Sequence, residues 1–246
     1  MFTLPVAPKP PVQALTQDGL SLLSPDDLAA LLPQGWQPAW AGLAAAWDRL
    51  PADAHLKDGG HYRRRRHSCF VQELGVNQLT QAPHRAHWQP TDYNALHGGF
   101  ERWFDPVEAE VAQAAAWTQL IGSLGQLFAQ VRPVPRWYVE AHQFRIDTAG
   151  GVGRPTPEGA HRDGVDFVVV LLVARRGVKG GETRVFDANG PHGLRFVMHE
   201  PQTTLLLDDA RVIHETTPIL PLEAGTDSGQ RDTLVLTYRA GGFQAK

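Results

Sequence analysis

The sequence predicts an α+β chain: a double-stranded β-helix (a cupin-like jelly roll) in the C-terminal half, with a helical N-terminal half packed on it. Three observations carry this. After Pro133, short runs rich in β-branched and aromatic residues recur at regular spacing with turn signals between them, the pattern of a sandwich or barrel. No long helical pattern separates those runs, which argues against a doubly wound parallel sheet. Before Pro133, apolar residues recur mostly at helical spacing.

In chain order, residues 1–20 are Pro-rich and read as an extended arm. Ser24-Pro25-Asp26-Asp27 reads as a helix start, with Ser at N-cap, Pro at N1 and acids in the first turn. A second helix is expected from Trp40 to Leu50. A third runs from Asp105-Pro106 to Val131, with Val111, Trp117, Leu120, Ile121, Leu124 and Phe128 on its apolar face. Residues 21–132 are thus mostly helical support for the core at 133–246, all within one catalytic domain, 1–246. Strands are expected at Trp137–Ile146, Asp166–Ala174, Thr183–Asp187, Leu194–His199, Thr203–Leu207, Arg211–Thr216 and Thr233–Tyr238.

Composition narrows the function classes. Of 246 residues, 42% are hydrophobic and 20% charged, ordinary for a globular protein with a sizeable core. A formal net charge of −3 supplies no global field for nucleic acid or an anionic membrane. The single cysteine, Cys69, rules out an intramolecular disulfide and suits a reducing compartment. With no basic leader and no apolar run of spanning length, a cytoplasmic protein is expected.

The chemistry gathers at His161-Arg162-Asp163. The letters invite a kinase catalytic loop, but no Gly-rich loop, strand lysine or Asp-Phe-Gly accompanies them. In an extended segment His161 and Asp163 share a face, because side chains alternate with period two. A His and a carboxylate presented together are two members of a 2-His-1-carboxylate set, which leaves coordination positions open on iron(II). His214, in the strand-like ARVIHETTPI, is the best third ligand. A lone His-x-Asp is more often a solvated turn, so the distal residues matter. Arg231 opens the strand TLVLTY with Thr233 on its face, and a buried guanidinium needs an anion. That anion is either a co-substrate carboxylate or one of the chain's own acids.

From about Tyr62 to Tyr238 the chain resembles the bacterial iron(II)/2-oxoglutarate-dependent dioxygenases that include L-isoleucine 4-hydroxylase, enzymes acting on free amino acids. The stretches that carry the resemblance are YRRRR (62–66), YNALHGGFERWFDP (93–106), HQFRI (142–146), PTPEGAHRDGVDF (155–167), GGET (180–183), LLLDDARVIHETTPI (205–219) and RDTLVLTY (231–238). The resemblance implies that His161, Asp163 and His214 bind iron(II), and that Arg231 and Thr233 hold the distal carboxylate of 2-oxoglutarate. It also implies consumption of dioxygen, release of succinate and carbon dioxide, and ascorbate as the reductant in vitro. The partner it implies is a small molecule, a free amino acid. Two other readings stay open: a cupin-like metalloenzyme without 2-oxoglutarate, and a non-catalytic small-molecule-binding barrel.

The remaining features have plainer readings. If Arg63 to Arg66 are extended, alternate arginines face opposite ways, and structural ion pairing is favoured over nucleic-acid contact. His84, His87 and His97 read as surface or packing residues, Cys69 as a small buried hydrophobe, and the aromatics of FERWF (100–104) as core. Gln143 and Arg145 share a strand face and are candidate substrate residues; for Arg145 a structural ion pair is the equal alternative. Glu158 either binds a substrate amine or caps a loop. Asp208-Asp209 makes the turn before the ligand strand, with orientation of His214 a lesser option.

Overall fold

The computed structural model describes residues 9–94, 96, 98–223 and 229–246. His97 and the first eight residues of the expected arm lie outside the described residues. The elements, in chain order, begin with α1 (Pro11–Asp18), β1 (Leu20–Leu23), α2 (Pro25–Ala30), α3 (Trp36–Ala41) and a 3-10 turn (Ala44–Arg49). Next come β2 (Arg63–Glu73), β3 (Gln78–Gln81), α4 (Ala109–Ala112), α5 (Ala115–Val131), β4 (Arg136–Asp147) and β5 (Phe167–Arg176). The chain closes with β6 (Val178–Gly180), β7 (Glu182–Asp187), β8 (Gly193–Val197), β9 (Thr204–Asp208), β10 (Val212–Thr216), β11 (Ile219–Pro221) and β12 (Gln230–Arg239).

An antiparallel seven-stranded sheet in the order β1-β9-β5-β12-β4-β2-β3 forms one layer. A three-stranded sheet, β10-β7-β8, and the small β11-β6 pair supply the other. Mostly antiparallel sheets with a few helices are consistent with the jelly roll expected. No helix among the described residues is long and apolar enough to cross a membrane.

The helical N-terminal half needs correction. β1, β2 and β3 all join the large sheet, and β2 pairs with β4 over eleven positions, Arg63↔Ile146 to Glu73↔Arg136. Four arginines disguise β2 because its inward face is polar, which defeats any hydrophobic alternation signal. Nor is the segment to residue 20 wholly an arm. Pro11 sits in the first turn of α1, which ends on Gly19 in the left-handed region (φ 76°), and Leu15 is buried.

The long helix starts later than expected. Asp105 and Pro106 do not cap it; Asp105 O accepts His67 N at 3.0 Å and Val107 N donates to Ser68 Oγ at 3.0 Å. That stretch is tied to β2, and the helix begins at Ala115 behind the short α4. The expected Trp40–Leu50 helix is broken at Gly42 into α3 and the 3-10 turn. The Ser24 start holds as read: Ser24 and Asp27 form a reciprocal capping box.

α5 covers the outer face of the large sheet through Trp117, Leu120, Ile121, Leu124 and Phe128, all fully buried. Trp137 Nε1 and Tyr238 OH donate to its carbonyls at Gly125 and Ile121, 2.9 Å each. A Cβ at Gly125 would collide with the Gln72 carboxamide, so this close approach requires glycine. The period-two rule then sets the other face. On β4, Val139 and Ala141 pack into the core, so Glu140, His142 and Phe144 look inward between the layers.

Candidate active site

A cleft between the two layers encloses roughly 1070 Å³, its open mouth included. His161, Asp163, His214, Arg231, Thr233 and Glu158 all line it. His161 and His214 are brought together by a two-way backbone bridge, N···O 3.0 and 2.9 Å, which leaves their rings 4.7 Å apart. His161 Nδ1 donates to Gly159 O at 2.9 Å, so the lone pair on Nε2 is free to ligate. The Asp163 oxygens lie 3.9 Å from His161 Nε2 and 3.7 Å from His214 Nε2. Together the three could hold a metal ion.

Asp163 does not stand on a strand. β5 starts only at Phe167, and residues 163–166 form a turn with Gly164 at φ 76°. The turn is clasped by Asp209, fully buried, whose carboxylate accepts from the backbone N–H of Asp163, Gly164 and Val165 at 3.0, 2.8 and 3.1 Å. Asp209 therefore shapes the loop that presents Asp163, a role distinct from the orientation of His214. Gln89 Nε2 donates to Asp163 Oδ1 at 3.1 Å. Its own oxygen accepts from Arg102 Nη2 (2.8 Å) and Asn94 Nδ2 (3.2 Å), which fixes which end of the amide faces Asp163. The sequence carries no signal for Gln89, since only the fold brings it within reach.

The acid–base state of the centre follows from burial and neighbours. Burial pushes His214 down to about 3, with the cationic form of His161 adding to the effect. Burial opposes charge on His161 too, but Asp163 and Glu158 outweigh it and raise that imidazole. Burial raises Asp163 against the pull of His161. A cation placed among them would favour neutral imidazoles and an ionised carboxylate.

Arg231 is 3% exposed, and its Nε and Nη2 have no acceptor. Burial and nearby Arg175 push it down to about 10, so the guanidinium is a buried cation short of an anion. Thr233 lies beside it on the same strand face.

Gln143 and Arg145 are corrected as substrate residues. They share a face, as alternation requires, but it is the face turned away from the cleft. Arg145 pairs with Asp232, its cross-strand neighbour, at 2.7 Å and with Asp48 at 2.7 Å. Alternation fixes which residues share a face and leaves open which face is inside. Glu158 does line the cleft; its Oε1 is 3.7 Å from His161 Nε2 and its buried Oε2 has no donor.

Of the two readings offered for His87, surface or packing, it is the buried one that holds. His67, His87 and His142 surround the Glu140 carboxylate at 3.1, 2.6 and 3.6 Å, all four buried. Their donor atoms are close enough for a metal, but Arg65 Nη2 donates to His142 Nδ1 at 2.9 Å. Nε2 of His142 must then carry its proton toward Glu140, and the group is a hydrogen-bonded cage around a carboxylate. Burial holds the three imidazoles low, His87 at about 3. Below pH 6.5 the unfolded chain binds protons that the folded cage refuses, so stability is lost as pH falls toward 3. His87 alone is expected to cost roughly 2 kcal/mol between pH 7 and pH 5. Urea denaturation at the two pH values checks this, and equal stabilities would contradict it.

The other plain readings divide. Cys69 is buried and its thiol pushed up by burial. His84 packs, with Nε2 2.8 Å from Phe104 O. In FERWF, Phe104 is buried but Trp103 is 56% exposed. Arg63 pairs with Asp53 at 2.6 Å, and Arg64 and Arg66 also have acidic partners.

The profile of the 2OG-Fe dioxygenase family matches residues 44–237. The chain belongs to this family. The 2OG-Fe dioxygenases are oxidoreductases that use iron(II), 2-oxoglutarate and dioxygen. Among solved structures, a bsmA homolog from Methylobium petroleophilum PM1 is 56% identical, with a TM-score of 0.91 over 98% of this chain and 96% of that one. IDO from Bacillus thuringiensis is 16% identical, with a TM-score of 0.76 over 98% and 99%. The Fe(II)/α-ketoglutarate-dependent dioxygenase TqaL is 20% identical, with a TM-score of 0.68 over 93% and 85%. The last two bear on the fold alone. No curated protein sequence is significantly similar. The residues present suit the family's cofactors: three side chains able to ligate a metal converge, and the buried Arg231 guanidinium has nitrogens without an acceptor, where a carboxylate such as that of 2-oxoglutarate would fit.

Proposed function

We propose that this 2OG-Fe dioxygenase hydroxylates a small molecule, a free L-amino acid, as a single cytoplasmic catalytic domain, in the manner of the group that includes L-isoleucine 4-hydroxylase. His161, Asp163 and His214 are assigned to the iron, and Arg231 with Thr233 to the distal carboxylate of 2-oxoglutarate. The observation that carries the reading is Arg231, a buried guanidinium without an acceptor in the same cleft as the three ligands. It weighs against a metalloenzyme that makes no use of 2-oxoglutarate, for which an uncompensated cation there would be a pure cost.

When bound, iron(II), 2-oxoglutarate and dioxygen supply insertion of an oxygen atom into a C–H bond, with release of succinate and carbon dioxide. The protein's own contribution is positional. Gly159 O holds the His161 ring in the ligating tautomer, Gln89 holds one oxygen of Asp163, and Asp209 shapes the loop beneath them. Val170 and Val235 line the same cleft and give it an apolar wall, the kind of surface that would exclude water from a substrate C–H. Glu158 faces the cleft with a free oxygen suited to a substrate ammonium.

Protein loaded with iron(II) and given 2-oxoglutarate, ascorbate, air and a panel of L-amino acids is expected to form succinate. Mass spectrometry should find one amino acid carrying an added oxygen atom. Iron-bound protein that turns over no 2-oxoglutarate with any member of the panel would sink the proposal.

A further inference from the structure

The cleft holds more positive charge than the dioxygenase reading uses. Arg65 is buried, and its guanidinium carbon lies 4.0 Å from the Phe104 ring centre and 4.5 Å from that of Phe144. One edge is tied down by the bond from Nη2 to His142, while Nε finds no acceptor. Arg102, 2% exposed, spends Nη2 on Gln89, and its Nε also lacks a partner. Both line the cleft.

The neighbouring acids are already committed. Asp53 accepts from Arg63 at 2.6 Å and from His55 N at 2.8 Å. Glu140 is enclosed by its imidazoles. Among the described residues no carboxylate forms an ion pair with Arg65 or Arg102. A stacked guanidinium held at one edge is a rigid, pre-oriented fork, the geometry that suits a carboxylate. Two like charges buried side by side repel each other, so an anion between them relieves both.

2-Oxoglutarate does not meet this demand, since one of its carboxylates is assigned to Arg231 and the other to the metal. What remains without a hydrogen-bonding partner is the Nε of each guanidinium and Oε2 of Glu158, whose carboxylate also acts through space as a counter-charge to Arg102. That is the complement of a zwitterion. We propose that Arg65, backed by Arg102, binds the substrate's α-carboxylate while Glu158 receives its ammonium group; this rests on the dioxygenase reading above. The run Arg63 to Arg66 is then divided by function. Arg63, Arg64 and Arg66 are neutralised within the chain, and Arg65 is kept for the ligand.

The test compares the proteinogenic L-amino acids with their carboxamides on iron-loaded protein at saturating 2-oxoglutarate, with succinate release as the readout. The free acid is expected to be preferred by roughly 10- to 150-fold in kcat/KM, the worth of one charge-assisted contact. Arg65→Met should bring that ratio close to unity. A purely structural fault would lower acid and amide alike and leave the ratio where it was. Arg65→Lys, which keeps the charge but loses the fork, should fall between, and it stands in if Arg65→Met fails to fold. Carboxamides that serve as well as acids, or an acid-to-amide ratio unchanged in the variant, would overturn the proposal. So would succinate release that no amino acid stimulates. If wild-type protein with bound iron releases no succinate at all, with or without substrate, the failure lies in the dioxygenase reading itself.

Discussion

Asp163→Ala is expected to leave the purified chain unable to retain iron(II), with 2-oxoglutarate turnover at background. Asp163 is the sole anionic member of the three-residue set, and it stands between two imidazoles with its oxygens 3.9 and 3.7 Å from their Nε2 atoms. Removing it leaves two neutral donors and no charge-neutralising carboxylate, too little to retain iron(II) against water. The fold should tolerate the change, because the Asp209 clasp grips the backbone of the turn and not the Asp163 side chain. Gln89→Leu gives the informative contrast. It keeps all three ligands but frees the Asp163 oxygen that Gln89 holds, and loss of an orienting partner typically costs about 10–100-fold in metal affinity or activity. Iron content by atomic emission, together with succinate release, checks both variants. Full iron occupancy in Asp163→Ala would refute the ligand assignment.

Arg231→Leu is expected to raise the KM for 2-oxoglutarate by roughly 10- to 150-fold, the equivalent of ~1.5–3 kcal/mol for a charge-assisted contact. The variant should not destabilise the protein in the absence of metal and 2-oxoglutarate. Arg231 is buried with Nε and Nη2 unpartnered, and burial together with Arg175 pushes it down to about 10. Exchanging such a cation for an apolar group removes a desolvation cost. The thermal midpoint of ligand-free protein is therefore expected to stay level or rise while 2-oxoglutarate binding weakens. An unchanged KM would mean that the anion partner of Arg231 is something else. A sharp loss of ligand-free stability would mean that Arg231 has a structural anion after all.

The legible parts of the chain were those where chemistry or periodicity leaves little choice. All seven expected C-terminal strands form, with ends displaced by at most a few residues, because β-branched runs between turn residues have few other ways to bury themselves. His161, Asp163, His214, Arg231 and Thr233, five positions spread over 73 residues (233 − 161 + 1), do meet in one cleft. The short β6 and β11 were invisible: three residues each, with Gly180 and Pro221 at their ends. β2 was hidden for a different reason. Its inward side chains begin with Arg63 and Arg65, which line the cleft, and His67, which is buried beside Glu140, so the strand opens with no apolar stripe to recognise.

The sequence by itself determined the strand-rich half and singled out a His, an Asp, a second His and an Arg that the fold brings into one cleft, because a metal centre with a bound carboxylate would demand side chains of those types. Tertiary structure decided which face of β4 looks inward, and so removed Gln143 and Arg145 from the cleft and placed His142 and Phe144 in it. It also decided the partners of the polar interior: Gln89 on Asp163, three histidines around Glu140, and Arg65 stacked between Phe104 and Phe144. The physical reason is register. Alternation along one strand fixes which side chains go together, but only pairing with distant strands and the covering helix fixes which side is buried and what it meets there.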